Sequence, residues 1–223
     1  MKIVIVGAGF GGLRLARKLN NKPGIEVVLI DRFNHHQFQP LFYQVATAAL
    51  NGSDISFPLR KVFHNSKNVS VRLAELSQIN AADNTVVTSE GNFAYDQLVI
   101  ATGADTNFFG NSNFEKFAWP MKSTVEAMDI RNHILKNFEA ALMEADVLHR
   151  QRLLIIVVVG AGPTGVELSG AIAEMKKYVL PKDYPELDFE AMNIYLLEGG
   201  LKTLAAMSEK SSLQSKNYLE RLG

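Results

Sequence analysis

The sequence predicts an α/β fold: two Rossmann-like dinucleotide-binding units with parallel sheets, the first carrying an antiparallel β-meander and the second incomplete at its carboxyl end. Two observations carry that reading. An unbroken apolar run feeding a G-x-G-x-x-G turn occurs at Ile3 to Gly12 and again at Ile156 to Gly165, and the apolar spacing after each turn becomes helical. Between them lie short alternating stretches separated by polar turns. At 47% hydrophobic and 21% charged over 223 residues, the chain has enough apolar side chain for real cores and too much for disorder.

The amino terminus has one charge and four aliphatic residues before Gly7, too short for a secretory segment, so it reads as a strand. Its β-branched character suits a parallel strand covered on both faces. In the turn, Gly7 permits the sharp exit, Gly9 lets backbone approach a pyrophosphate and Gly12 lets helix pack close to strand. Free amides and the positive dipole end then face the phosphate. Leu13, Ala16 and Leu19 form the helix's apolar face. After a turn at residues 20–24, a strand from Glu26 to Ile30 ends at Asp31, about 20 residues beyond the glycines, where a carboxylate accepts from ribose hydroxyls.

Asn68 to Leu73, Leu76 to Ile79, Thr85 to Thr88 and Phe93 leading into Leu98 to Ile100 read as an antiparallel meander set on the parallel sheet. Ala101-Thr102-Gly103 closes a buried strand at the carboxyl edge, where ligands of such sheets sit. Ser123 to Glu126 is a capping box opening a connecting helix expected to bury Val125, Met128, Ile134 or Leu135, Phe138, Leu142 and Ala145.

The second unit repeats the device with Gly160, Gly162 and Gly165, and its helix has apolar faces at Val166, Ser169, Ala173 and at Leu168, Ile172, Met175. The strand Asn193 to Leu197 ends at Glu198, about 33 residues beyond the turn. A carboxylate there would accept from the adenosine ribose of NADH and repel the extra phosphate of NADPH. Glu209 to Gly223 reads as a helix with its capping glycine, after which the sheet should receive another strand. The expected organisation is residues 1–118, a connecting helix at 119–151 and a truncated unit at 152–223, with an open sheet edge suited to pairing in a homodimer.

Composition excludes several classes. Lys plus Arg and Asp plus Glu number 23 each, which gives no basic surface for nucleic acid. Without cysteine there are no disulfides, thiolate metal sites or dithiol chemistry, so redox work needs a bound cofactor. The five histidines, including the pair His35-His36, lack metal-ligand spacing and read as structural or surface groups, with no metal expected. The longest apolar run, Leu153 to Val159, is a third of what a bilayer core demands, and a cytoplasmic setting is expected.

Taken together, Val6 to Gly12, Leu29 to Arg32, Asn34 to Ala48 with its Phe38-Gln39-Pro40-Leu41, Ile100 to Gly103 and Gly160 to Leu168 resemble type II NADH dehydrogenase, the single-subunit NADH:quinone oxidoreductase. The glycine turns and Ala-Thr-Gly are shared with the wider pyridine nucleotide-disulfide oxidoreductase superfamily; the segment Asn34 to Ala48 points to this branch. The resemblance implies FAD on Gly7, Gly9, Phe10, Gly11 and Gly12, with Asp31 and Arg32 at its adenosine. Gln44, Val45 and Thr47 would lie near the flavin ring, and Ala101, Thr102 and Gly103 beside the cofactor.

It likewise implies NADH on Gly160, Gly162, Pro163, Thr164, Gly165 and Glu198. Glu167 resembles the family's glutamate beside the stacked nicotinamide and flavin; the alternative for it is a first-turn helix carboxylate favoured by the dipole. The implied reaction passes a hydride from NADH to FAD and two electrons on to a membrane quinone without proton pumping, chemistry that asks the protein for geometry and tuning. The implied protein is peripheral on the inner face of the cell membrane, docked through carboxyl-terminal helices outside these residues. The chain is about half the family's expected length and reads as its amino-terminal part. Another reductase of the superfamily, or a nucleotide-binding fragment without turnover, are the alternatives.

Overall fold

Apolar strands with no polar alternation need cover on both faces, and in the first half of the chain they receive it. The computed structural model describes residues 1–223. In chain order the elements up to residue 100 are β1 (Lys2–Val6), α1 (Phe10–Leu19), β2 (Glu26–Asp31), β3 (His35–Gln37), α2 (Phe42–Ala46), β4 (Ser56–Pro58), α3 (Leu59–Val62), β5 (Val69–Leu73), β6 (Leu76–Asn80), β7 (Thr85–Thr88), β8 (Gly91–Ala94) and β9 (Gln97–Ile100). Then come α4 (Ser112–Phe117), α5 (Thr124–Met143), α6 (Val147–Leu153), β10 (Ile155–Val159), α7 (Pro163–Tyr178), α8 (Leu180–Asp183), β11 (Asn193–Leu197) and α9 (Glu209–Leu222). Two compact units result: Met1–Phe38 with Ile55–Asn107, and Gln39–Asp54 with Phe108–Gly223.

In the first unit β5, β2, β1 and β9 form a parallel sheet in that order. Ile3, Ile5, Val27, Leu29 and Val71 face Ala16 of α1, Leu59 of α3 and Phe63. Val4, Val6, Val28 and Ile30 face the other way, against Ala74 and Val86. Alternate residues thus feed two cores, as a doubly covered strand requires. Val6 is in register with Ile30 and with Ile100, so the exits of β1, β2 and β9 lie side by side at the carboxyl edge. Since β2 and β9 flank β1 on opposite sides, that edge is a topological switch point, where ligands of open α/β sheets bind.

One expectation is corrected. The antiparallel meander is β6-β7-β8 alone: β9 joins the parallel sheet beside β1, and the stretch 68–73 is not part of the meander either, since β5 joins the parallel sheet beside β2. Its alternation reflects an edge strand, with Val71 buried and Leu73 49% exposed.

In the second unit β10 and β11 pair in parallel, Ile155 opposite Asn193 through Val159 opposite Leu197. Helix α7 packs on this pair and buries Ser169, Ile172, Ala173 and Met175. The opposite face carries Val157, Val159, Tyr195 and Leu197, each about half exposed. The double cover that the β-branched run implied is therefore absent here, because no element of this chain lies over that face.

Helix α5 spans 20 residues, opened by Ser123 Oγ accepting from the Glu126 N–H at 3.2 Å. The Glu126 carboxylate accepts from the Lys122 N–H at 2.6 Å, one residue outside the reciprocal capping bond. Its buried stripe is Ala127, Ile130, Ile134, Phe138 and Ala141, while Val125 and Met128 are 55% and 37% exposed. Ile134 and Phe138 are buried as expected, while the rest of the stripe is displaced to Ala127, Ile130 and Ala141 on the helix that α2 packs against. Phe138 meets Tyr184 and Phe189 at ring separations of 5.6 and 5.9 Å. Before this helix, Trp119 stacks on His133 at 4.6 Å. No helix is long and apolar enough to cross a membrane.

Candidate functional site

The first glycine loop leaves β1 with Gly7 at φ +100°, a conformation L side chains rarely adopt. A Cβ on Gly7 would run into the Ala101 carbonyl and lie 2.9 Å from Thr102 Cα, so the exits of β1 and β9 touch through backbone. A Cβ on Gly12 would strike the Gly7 carbonyl oxygen, which is the close strand–helix approach assigned to the third glycine. Around Gly9 and Gly11 there is instead open space. Gly9 is the N-cap of α1, and no side chain caps the helix or adds acid to its first turn. The first amides of α1 are therefore available to an anion.

The Ala8 peptide is held at both ends. Its N–H donates to Asp31 Oδ2 at 2.6 Å, and its carbonyl accepts from His36 Nδ1 at 2.9 Å. Asp31 Oδ1 accepts from the Phe33 N–H at 2.7 Å. Each carboxylate oxygen keeps a lone pair for a further donor such as a ribose hydroxyl. Arg32 is exposed, its guanidinium 5.2 Å from the Phe33 ring. Phe10 meets His36 and Phe38 edge-on at 5.2 and 5.5 Å.

The second loop repeats this geometry. Gly160 has φ +98°, and its N–H donates to Leu197 O at 2.7 Å as that of Gly7 donates to Ile30 O at 2.8 Å. A Cβ on Gly165 would strike the Gly160 carbonyl oxygen, while Gly162 lies in open space as the uncapped N-cap of α7. Pro163 occupies the first helical position, where its missing N–H costs no bond. The Ala161 N–H donates to Glu198 Oε2 at 2.7 Å and the Gly200 N–H to Glu198 Oε1 at 2.8 Å. The Ala161 carbonyl accepts from the Leu204 N–H at 2.7 Å.

Those N–H donors, Ala161 first and Gly200 second, hold the Glu198 carboxyl below its ordinary pKa. A carboxylate lowered on folding stabilises the loop above its unfolded pKa and loses that contribution as pH falls through the lowered value. Protection of the Ala161 amide against hydrogen exchange should accordingly drop below the ordinary glutamate range. In Glu198→Gln that dependence should flatten; an unchanged pH profile would show that the carboxylate does not hold the loop.

Glu167 and Thr164 of α7 line a small pocket of about 50 Å³ with Gln39, Tyr43, Met121 and Lys122. Glu167 stands one position past the first turn of α7. Although the side chain is largely exposed, partial burial of the carboxyl pushes its pKa up. The Tyr43 hydroxyl accepts from Gln44 Nε2 at 3.0 Å, leaving its own proton free to donate. Carboxyl, phenol and ammonium here are groups that can hold or pass a proton. A wider groove is lined by Gln214, Asn217, Tyr218, Glu220 and Arg221 of α9 alone and brings no second element to it.

The expected site residues thus gather in two places. Gly7, Gly9, Phe10, Gly11, Gly12, Asp31, Ala101 and Thr102 meet at the carboxyl edge of the first sheet, with Gly103 following at φ +73°. Gly160, Gly162, Pro163, Thr164, Gly165 and Glu198 meet in the second unit. Gln44, Val45 and Thr47 belong to α2 and its C-cap, which packs on α5 and α7. Val45 is wholly buried, and Thr47 Oγ1 donates to Tyr43 O at 2.9 Å. Tyr43 and Lys122 were not singled out from sequence, and His36 was read with His35 as a structural or surface group. For His36 the signal was strand alternation in β3, with His36 buried between half-buried His35 and Gln37.

A family model for pyridine nucleotide-disulphide oxidoreductases matches residues 1–223. The type II NADH:quinone oxidoreductase Ndh of Mycobacterium tuberculosis is 38% identical over 226 residues, covering 100% of this chain and 49% of that protein. An Arabidopsis thaliana mitochondrial external alternative NAD(P)H-ubiquinone oxidoreductase, B4, is 29% identical, covering 100% and 40%. The solved structure of NDH2 from Plasmodium falciparum in complex with NADH superposes with TM-score 0.91 at 26% identity, over 99% of this chain and 46% of that one. The chain spans about half the length of the curated relatives it matches.

Proposed function

The chain belongs to the pyridine nucleotide-disulphide oxidoreductase family, and from that footing we propose that it supplies much of an FAD site and an NADH site to an NADH:quinone oxidoreductase. The observation that carries this reading is the duplicated cradle: a strand exit at φ near +100°, an uncapped helix start, and a carboxylate gripping the peptide between the first two glycines. Both cradles fit a dinucleotide. Their open glycine positions are where a Cβ would take the diphosphate's place, and their donors are amides, which suit an anion.

In this reading residues 1–118 contribute to the FAD domain, 119–151 connect, and 152–223 contribute to the NADH domain. Gly7 to Gly12, Asp31, Arg32 and Ala101 to Gly103 would hold FAD, with Gln44, Val45 and Thr47 near its ring. Gly160 to Gly165 and Glu198 would hold NADH, and the negative charge of Glu198 disfavours a 2′-phosphate. When bound, FAD supplies the two-electron chemistry that accepts a hydride from NADH and delivers electrons to a quinone. The protein's part is to orient nucleotide diphosphates on amides and to keep Glu167 and Tyr43 ready to hold or pass a proton. With no thiol to relay electrons, the chain favours an acceptor that reacts at the flavin directly. The names of its relatives support a quinone in that role.

The test is the protein expressed from its complete gene and purified without added flavin. It should be yellow, bleach on anaerobic NADH titration, and recover its colour with a soluble quinone faster than with a ferredoxin or a disulfide. A colourless protein that takes up no FAD would overturn the reading. Bleaching followed by preference for ferredoxin would assign it to another branch of the family.

A further inference from the structure

We infer that His36 is a positioning residue of the first cradle, setting the orientation of the Ala8 peptide through its carbonyl and, by that route, the affinity for FAD. The inference rests on the proposed FAD site. His36 is 7% exposed, and Nδ1 lies 2.9 Å from the Ala8 carbonyl oxygen. A carbonyl cannot donate, so Nδ1 carries the proton in this contact. The same peptide is fixed at its other end by Asp31, and the next residue but one, Phe10, rests on the imidazole edge-on.

The internal repeat shows that the carbonyl clamp is more than a local accident. In the second loop the equivalent peptide, Ala161, is also gripped by a carboxylate on its N–H, and its carbonyl is also taken, here by the backbone N–H of Leu204. Leu204 reaches it from φ +50°, a conformation that is unfavourable for a leucine. Two unrelated donors, a side chain from β3 and a strained backbone amide, therefore satisfy the same atom of the same turn. What the loops share is the fixed peptide immediately ahead of the helix amides that would face a diphosphate. Holding that peptide before the ligand arrives removes an ordering cost from binding.

The test compares His36→Leu, which keeps bulk without a donor, with His36→Asn, whose amide nitrogen can stand where Nδ1 stands. FAD dissociation constants are measured by flavin fluorescence, and the amide resonances of Ala8 and Gly9 by NMR. His36→Leu should bind FAD roughly tenfold more weakly, the order of one buried hydrogen bond, and shift both resonances. His36→Asn should recover most of the affinity and the resonance positions. Equal affinities for wild type and His36→Leu, or equal losses in both variants, would overturn the role of His36 while leaving the FAD site intact. Absence of FAD binding in the unaltered protein would overturn both.

Discussion

Gly7→Ala should cost the first unit about 2–5 kcal/mol, combining about 1–2 kcal/mol for an L residue at positive φ with about 1–3 kcal/mol for overpacking. Both contributions apply because Gly7 sits at φ +100° and its Cβ would enter the Ala101 carbonyl. That is a large share of an ordinary domain's stability of about 5–15 kcal/mol. Gly160→Ala should be milder, since Gly160 has the same backbone conformation, φ +98°, with nothing within 4 Å of its Cβ position. Gly9→Ala should cost about 1 kcal/mol or less as an N-cap change and yet remove FAD binding, because the new methyl would occupy the open space of the cradle. Denaturant unfolding followed by circular dichroism, with flavin retention measured alongside, separates the three. If Gly7→Ala and Gly160→Ala unfolded together, the contact between the exits of β1 and β9 would carry no energy.

Phe138→Ala should destabilise the second unit by about 3–5 kcal/mol, the usual cost of emptying a buried phenylalanine site. Phe138 is 1% exposed and packs its ring against Phe189 and Tyr184. Val125, 55% exposed on the same helix, should tolerate alanine within about 0.5 kcal/mol. The pair tests which face of α5 is inward. Similar midpoints for the two variants in urea would mean that the stripe from Ala127 to Ala141 does not hold this unit together.

Local chemistry made the nucleotide loops readable. Gly7 and Gly160 hold a positive φ that favours glycine, Gly12 and Gly165 stand where a Cβ would strike a carbonyl, and a carboxylate at the end of the following strand is part of the same pattern. The strand from Asn193 to Leu197 was equally clear, because β-branched and aromatic residues between polar turns leave few alternatives. What escaped depends on tertiary partners. Whether the stretch 69–73 pairs with the meander or with β2 is decided by which neighbour its edges reach, and alternation alone does not report that. On α5, Ile134 and Phe138 were legible, but the stripe's ends at Ala127, Ile130 and Ala141 were not, because the packing partner decides which neighbouring positions turn inward. His36 belongs to the same class, since the carbonyl it serves lies 28 positions earlier in the chain.

One consequence of the stack between Trp119 and His133 is practical. Trp119 is the chain's sole tryptophan, so indole emission comes from a single side chain whose environment is set by His133 in the middle of α5. Loss of that stack would register as a change in indole emission, read without any label.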